Sequence, residues 1–454
     1  MTGLNRFVGA SFGTQQRINR GVEEAMVAYT REETQCLAQG MTPKDITVTP
    51  EEPCTGGLCL VAIEPISNYI LLEQTADVRD HETWSDRMAG ALAPLKCQVI
   101  QSTSDEAPGL LAYVANHLGA HHSPDLFHVQ HELSKAVAGP IAAKQRAAEK
   151  AVTTAAQMLN HGQEQPQRDH AQPERRGPGR PPQVALCLEQ ATPAVEAARQ
   201  ECQRLTQSSE KVRQSIRAIG HTYHCVDLDR GKRRHGKLIA SDLQHQIDTI
   251  RTIAHREGLS DPCMNRIDKA ARVVPKMQAT IEFVSTYVRR QVSQLDLTQH
   301  ASYAMHAQLI PAYYLDRVAA TKPILEGQPL RELAERIRTP PFEPGGAFSE
   351  LHRVAQDRLK QEAAKLADVF QRSSSNVEGR NGYLSLRNHE LRGLDNPRKR
   401  ACLTAVHNFL LTRSDGTTAA ERFFGQKPRS MFAAILEAVE IPPVPLSPPR
   451  RAVR

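Results

Sequence analysis

Asp45-Ile46-Thr47-Val48-Thr49, Leu58-Cys59-Leu60-Val61-Ala62-Ile63 and Tyr69-Ile70-Leu71-Leu72-Glu73 decide the reading of this chain. In the first, Ile46 and Val48 alternate with polar residues, as in a strand with one face against a core. The second is an unbroken apolar run of the kind a central strand carries. The third is another strand, and Asn68 just before it marks a turn that makes the last two a hairpin.

Working outward, residues 14–40 read as a helix ending near Gly40. Downstream, a helix is expected from Asp80 to Leu92, carrying Trp84, the only tryptophan. Cys97–Gln101 follows as a strand running into Ser104-Asp105, and Leu110, Val114 and Leu118 recur every four residues as a helix face. Asp125–Val129 reads as a short fifth strand. The order is three strands, helix, strand, helix, strand. It resembles the order of a ribonuclease-H-like core, an α/β fold in which the first three strands form a meander and the fourth lies beside the first.

From His131 the character turns helical, over Ala142–Leu159, Val195–Ile219, Ala240–Glu257 and Ala270–Leu297. Between His161 and Gln183 the chain is polar and rich in Pro and Gln, with too few apolar residues to offset the entropy of ordering, so disorder is expected. Pro323–Gly346 reads as irregular. Leu351–Phe370 reads as an amphipathic helix with Leu351, Ala355, Leu359, Ala363, Leu366 and Phe370 on one face. The expected division is a helical segment 1–42, a first core part 43–135, a helical insertion 136–349 with a basic linker near 160–183, a second core part 350–430, and a Pro/Arg-rich tail 431–454.

The 454 residues are 40% hydrophobic and 24% charged, an ordinary globular balance able to fill two or three domains. Aromatics at 5% disfavour a stacking platform for single-stranded nucleic acid. The net charge of +7 is mild, but the basic residues cluster at Arg175–Arg180, Arg230–Lys237, Arg398–Arg400 and Arg450–Arg454, where they can meet phosphate. Nine scattered cysteines without CxxC spacing argue against a disulfide framework or zinc ribbon and suit a reducing cytoplasm. No apolar run approaches the roughly 20 residues of a membrane span, and the first 20 residues lack a signal-peptide centre.

Three acidic stretches carry the chemistry. Ser104-Asp105-Glu106-Ala107-Pro108-Gly109 puts Asp105 at a strand end, where sites on such sheets form. Pro124-Asp125-Leu126-Phe127-His128 is the second, and Ser375-Asn376-Val377-Glu378-Gly379-Arg380-Asn381 the third. Ser375-x-x-Glu378 also fits a helix capping box. Carboxylates are the ligands magnesium and manganese prefer, and paired divalent ions are what phosphodiester chemistry asks of a protein. His128 and His131 do not have HExxH spacing, which leaves catalytic zinc disfavoured.

These segments resemble the DDE transposases of bacterial insertion sequences, which use a ribonuclease-H-like domain. Ser104–Leu110 is similar to their second-aspartate motif, Asp125-Leu126-Phe127-His128 to a D-x-x-H signature, and Ser375–Gly382 to the glutamate motif. Val406-His407-Asn408-Phe409 with Asp415-Gly416-Thr417-Thr418-Ala419-Ala420-Glu421-Arg422-Phe423-Phe424-Gly425 is similar to their T-P-A-E-R-F tail. The resemblance spans roughly 45–135 and 350–430 and implies a ribonuclease-H-like mixed sheet interrupted by a large all-helical insertion.

It further implies metal-dependent cleavage and strand transfer of double-stranded DNA in a cytoplasmic, nucleoid-associated enzyme that works as a homo-oligomer. Glu51, Asp105 and Glu378 would hold Mg²⁺ or Mn²⁺, Asp125 and His128 would support the core, and Arg176, Arg180, Arg380 and Arg387 would bind DNA. The first position departs from the family, since Val48-Thr49-Pro50-Glu51-Glu52-Pro53 offers glutamate in place of aspartate, with Glu52 as the second choice. Residues 1–40 are short for the DNA reader many relatives carry. Both departures keep open a catalytically inactive DNA-binding descendant, and a helical scaffold without a nucleic-acid role is the third reading. Gly177–Pro182 resembles the Gly-Arg-Pro core of an AT-hook, with Pro178 where arginine is expected.

Overall fold

The computed structural model describes residues 12–53, 57–171, 184–391 and 396–439. The chain divides into two compact units, Met1–Asp125 with Asp368–Arg454, and Leu126–Ala367. The inserted unit thus begins at Leu126 and ends at Ala367, where 136 and 349 were expected.

The first unit is mixed α/β. Helix α1 (Phe12–Gly40) leads into β1 (Lys44–Glu51), β2 (Cys59–Glu64) and β3 (Tyr69–Thr75). Helix α2 (His81–Leu92), β4 (Cys97–Ser104), α3 (Pro108–Tyr113, continued by a π turn to Leu118) and β5 (His121–Pro124) follow. The five strands form one sheet in the order β3-β2-β1-β4-β5. β1, β2 and β3 pair antiparallel as a meander, while β4 lies parallel beside β1 and β5 parallel beside β4. The meander and the return of the fourth strand to the first are as the order of elements implied.

β2 shows why the sheet is central. Leu60 and Ala62 face a cluster with Leu72, Trp84, Met88, Leu110 and Tyr113, whereas Cys59, Val61 and Ile63 face Ile70 and Val377. Period-two alternation of an all-apolar strand therefore fills both layers. Asn68 turns the hairpin with φ 64°. Asp80 caps α2 by accepting from the Thr83 N–H at 2.8 Å. Gly109 lies against the backbone of Arg79, where a Cβ would stand 2.3 Å from the carbonyl oxygen. The Pro-Gly of that stretch is thus a packing requirement as well as a turn.

The expected strand Asp125–Val129 is a correction. The fifth strand is His121–Pro124, and Leu126–Leu133 is a helix (α4) that buries Leu126, Val129 and Leu133. Their spacing of three and four is helical, and Asp125 stands in the turn between strand and helix.

The second unit is helical. After α4 come α5 (Gly139–Ala171), α6 (Val184–Thr222), α7 (Gly236–Arg256), α8 (Asp261–Ser293), α9 (Gln299–Ala304), α10 (Ile310–Ala320), α11 (Ile324–Arg338) and α12 (Arg353–Asp368). Two expectations fail here. The segment from His161 to Ala171 continues α5 rather than opening a linker, because Ala- and Gln-rich sequence keeps helical propensity despite its polarity. Residues 172–183, with Arg176, Arg180 and the AT-hook-like run, lie outside the described residues. Pro323–Gly346 is largely helical too. Pro323 stands at the N-cap, and Gly327, Leu330, Leu333 and Ala334 are buried on one face of α11.

Beyond the insertion, α13 (Ser375–Leu391), α14 (Pro397–Phe409), α15 (Ala419–Phe424) and α16 (Met431–Ala438) complete the first unit. The tail motif works as a clamp on the β2–β3 hairpin. Asn408 accepts from the Ile70 N–H at 2.9 Å and donates to the Ile70 carbonyl at 3.0 Å, satisfying an otherwise open edge strand. Arg422 donates twice to the Ser67 carbonyl, and Phe423 stacks on Tyr69 with ring centroids 4.6 Å apart. Thr418 caps α15 through the Glu421 N–H. No helix among the described residues is long and apolar enough to cross a membrane.

Candidate metal centre

Because β1, β4 and β5 are parallel, their carboxyl ends lie along one edge of the sheet, and each is followed or ended by an acid: Glu51, Asp105 and Asp125. Which of these meet is settled by the segment that returns from the insertion. β4 ends in the buried polar run Gln101-Ser102-Thr103-Ser104, unusual for an inner strand. Its purpose is backbone docking. The Gln371 carbonyl accepts from Gln101 Nε2 at 2.8 Å, Ser123 Oγ at 3.2 Å and Thr103 Oγ1 at 3.4 Å. This pins the approach to α13 across β4 and β5.

Ser374 then occupies the N-cap of α13, its carbonyl accepting from the N–H groups of Val377 and Glu378. Its hydroxyl does not turn back on the helix. It lies 2.7 Å from Asp125 Oδ2 and 3.0 Å from Glu51 Oε1. Asn381 Nδ2 donates to Glu51 Oε2 at 2.6 Å. Thr49, two residues before Glu51 and so on the same strand face, reaches the Asn376 Oδ1 at 3.3 Å. Glu51, Asp125 and Ser374 are all buried.

A hydroxyl has one hydrogen to donate, and here two carboxylate oxygens stand at bonding distance from it. Its hydrogen can therefore serve only one of the two acids at a time. Glu51, Asp125 and His128 each offer a ligand atom, and these lie within 4.8 Å of one another. His128 comes to the group by chain continuity, one helical turn after Asp125 on α4. Two hard carboxylates and one imidazole nitrogen suit Mg²⁺ or, better, Mn²⁺, which accepts nitrogen more readily.

Glu378 lies four residues beyond Ser374 and three before Asn381. Helical periodicity therefore sets it on the face of α13 that meets Glu51. The helix starts one residue earlier than a Ser375-x-x-Glu378 box would need, so Glu378 is past the reciprocal capping position.

Asp105 is placed elsewhere. Its carboxylate accepts from the Ala107 N–H at 3.3 Å, closing the turn into α3. It also faces Glu52, which alternation sends to the opposite side of β1 from Glu51. There Glu52 accepts from the Trp84 indole at 2.8 Å. Burial raises the Glu52 carboxyl above its ordinary range; the Trp84 bond opposes this and the Asp105 charge adds to it. Among the described residues, the metal-ligand group holds Asp125 rather than Asp105. His131, one turn beyond His128, stacks on Phe127 with centroids 5.7 Å apart.

The expected phosphate-binding arginines of α13 also find other partners. Arg380 is buried and clasps Glu73 of β3 with both ends, at 2.7 and 2.8 Å, where Thr404 Oγ1 adds a bond at 2.9 Å. An arginine so enclosed is matched within the protein. Arg387 lies over the Tyr383 ring, 5.2 Å from its centroid. Ser374 and Asn381 were missed as site residues. Their spacing with Glu378, at i, i+4 and i+7, was the signal that would have found them.

The first unit is thus a mixed α/β sheet domain with a buried carboxylate pair at its carboxyl edge. A family model described as a family of unknown function (DUF6399) matches residues 305–452, about the last third of the chain. The matched stretch contains Ser374, Glu378, Asn381 and the Asn408–Arg422 clamp, and stops short of Glu51 and Asp125. No curated protein matches the chain.

Proposed function

We propose that this chain is a divalent-cation-dependent phosphodiesterase acting on DNA, a transposase of the ribonuclease-H-like kind, with Glu51, Asp125 and Glu378 as its acidic residues. The observation that carries it is the convergence of Glu51 and Asp125, from the ends of two parallel strands, on one hydroxyl of Ser374 at the head of the helix bearing Glu378. The strand order β3-β2-β1-β4-β5, with an antiparallel meander and two parallel strands, supports the ribonuclease-H-like assignment.

A divalent cation held there would supply the positive charge that phosphodiester cleavage needs at the attacking and leaving oxygens. The protein's own residues do the positioning. Glu51 and Asp125 would hold the cation, with His128 beside them. Asn381 fixes the Glu51 carboxylate, and Ser374 sets the distance between the two acids. Glu51 is one methylene longer than the aspartate of the resembled family, and Asn381 at 2.6 Å takes up that length. Asp105, with its turn and its Glu52 neighbour, is a structural residue in this reading.

The test is Mn²⁺- or Mg²⁺-dependent nicking of supercoiled DNA. Glu51→Gln and Asp125→Asn are each expected to lower the rate at least about 100-fold, the scale on which charge-stabilising groups act. Asp105→Asn should cut within a few-fold of wild type. Wild-type protein that binds DNA but never cuts it is the inactive descendant, and the catalytic assignment is then wrong.

A further inference from the structure

The basic run Arg230-Gly231-Lys232-Arg233-Arg234 plays no part in the carboxylate centre, and its geometry within the helical unit is specific. It closes a tight hairpin in which Val226 bridges Arg233 and the Asp227 N–H donates to the Lys232 carbonyl at 2.8 Å. Gly231 at its tip has φ 67°, and a Cβ there would stand 2.0 Å from Ile337 Cδ1, so the hairpin is seated firmly against α11. Arg234 is engaged by Asp242 and the Thr222 carbonyl.

Among the described residues, Arg233 pairs with no carboxylate. Its guanidinium donates to Ser285 Oγ at 2.7 Å and lies 3.3 Å from His306 Nδ1. Arg289 follows Ser285 by one turn on α8, is exposed, and like Arg233 forms no ion pair among the described residues. Glu282, three residues before Ser285 on α8, accepts from Gln278 at 2.7 Å. Since an arginine only donates, Nδ1 of His306 accepts and its hydrogen sits on Nε2, leaving a donor. Burial, then the charges of Arg233 and Arg289, hold the His306 ring below its ordinary value, so it stays neutral.

We infer that Arg233, Arg289, Ser285 and His306 form a phosphate-binding site in the helical unit, which holds the backbone of duplex DNA. Two guanidiniums, a hydroxyl and an imidazole N–H match the charge and the acceptors of a phosphodiester. The phosphate chemistry stands on these residues; duplex DNA as its source rests on the function proposed above.

The test is fluorescence anisotropy of a labelled DNA duplex over a salt series in EDTA. Without metal, the assay does not depend on the cation that Glu51 and Asp125 would hold. Arg289→Gln removes an exposed side chain that makes no hydrogen bond or ion pair among the described residues, so it is the variant expected to leave the fold intact. Each guanidinium removed should weaken binding roughly tenfold and lower the salt slope by about 1, so Arg233→Gln/Arg289→Gln lowers it by about 2. Lys269→Gln/Arg272→Gln makes the same charge change elsewhere on α8 and should bind as wild type.

Equal losses in the two double variants would reduce the effect to net charge and overturn the site, as would no loss of DNA binding in either together with equal phosphate protection of wild type and the Arg233→Gln/Arg289→Gln variant. If inorganic phosphate protects wild type but not the Arg233→Gln/Arg289→Gln variant against heat, while DNA binding is the same in both, duplex DNA is the wrong source. Wild-type protein whose DNA binding depends on Arg233 and Arg289 but which never cuts DNA counts against the carboxylate centre alone.

Discussion

Two acidic positions on one sheet meet α13 in opposite ways. At β3, buried Glu73 receives a two-ended guanidinium from Arg380 and a hydroxyl from Thr404, so its charge is matched and its oxygens are filled. At the ends of β1 and β5, Glu51 and Asp125 meet over a single hydroxyl, with an amide from Asn381. The first arrangement holds helix to sheet. The second brings two carboxyl groups together, and the proposed cation would be what matches their charge.

The sharpest break of this comparison is stability. Glu73→Gln leaves Arg380 buried without its counter-charge and is expected to cost about 3–5 kcal/mol by chemical denaturation. Glu51→Gln and Asp125→Asn relieve a like-charge pair and should be neutral or stabilising without metal. A loss at Glu51 as large as at Glu73 would make both carboxylates structural.

Metal sharpens it next. Mn²⁺ at about 100 times its dissociation constant should stabilise wild type by about 2.7 kcal/mol, read as a higher melting temperature. The Asp125→Asn protein should show little of that rise, and Glu73 plays no part in it. A rise of equal size in Asp125→Asn would place the ion elsewhere.

On the structural side, Asn408→Ala removes both bonds to Ile70 from the edge strand and should cost about 2 kcal/mol. Cleavage per folded molecule should be unchanged, separating the clamp from the chemistry.

The smallest effect is a pH slope near the site. Burial holds the His121 ring in β5 down to about 4, from an ordinary 6.5. The unfolded chain therefore takes up this proton first, and stability falls as pH drops from about 6.5 towards 4. His121→Asn should flatten that part of the stability curve, followed by urea midpoints, and an unchanged slope would show the ring is not titrating this way.

Much of the sheet was legible because its strands obey local rules. Alternation in β1, the apolar run of β2 and the turn at Asn68 each report on neighbours a few residues away. β5 misled because Asp125–Val129 is short and apolar, and only helical burial of Leu126, Val129 and Leu133 separates the two readings. The α11 prolines misled because one stands at a cap and the other is carried by a buried face.

The sequence by itself determined that Asp105 ends a strand, that Glu378 opens a late helix, and that basic residues cluster at Arg230–Lys237. Local chemistry and periodicity suffice for that. Which acids meet was decided only in three dimensions. Glu51 and Glu52 are adjacent, yet alternation sends one to α13 and the other to Trp84. Asp125 displaces Asp105 because the Gln371 carbonyl, far along the chain, docks on β4 and β5 and delivers Ser374 to that spot. Arg380, basic and beside the glutamate, was turned inward by Glu73, a pairing across 307 residues that no local pattern contains.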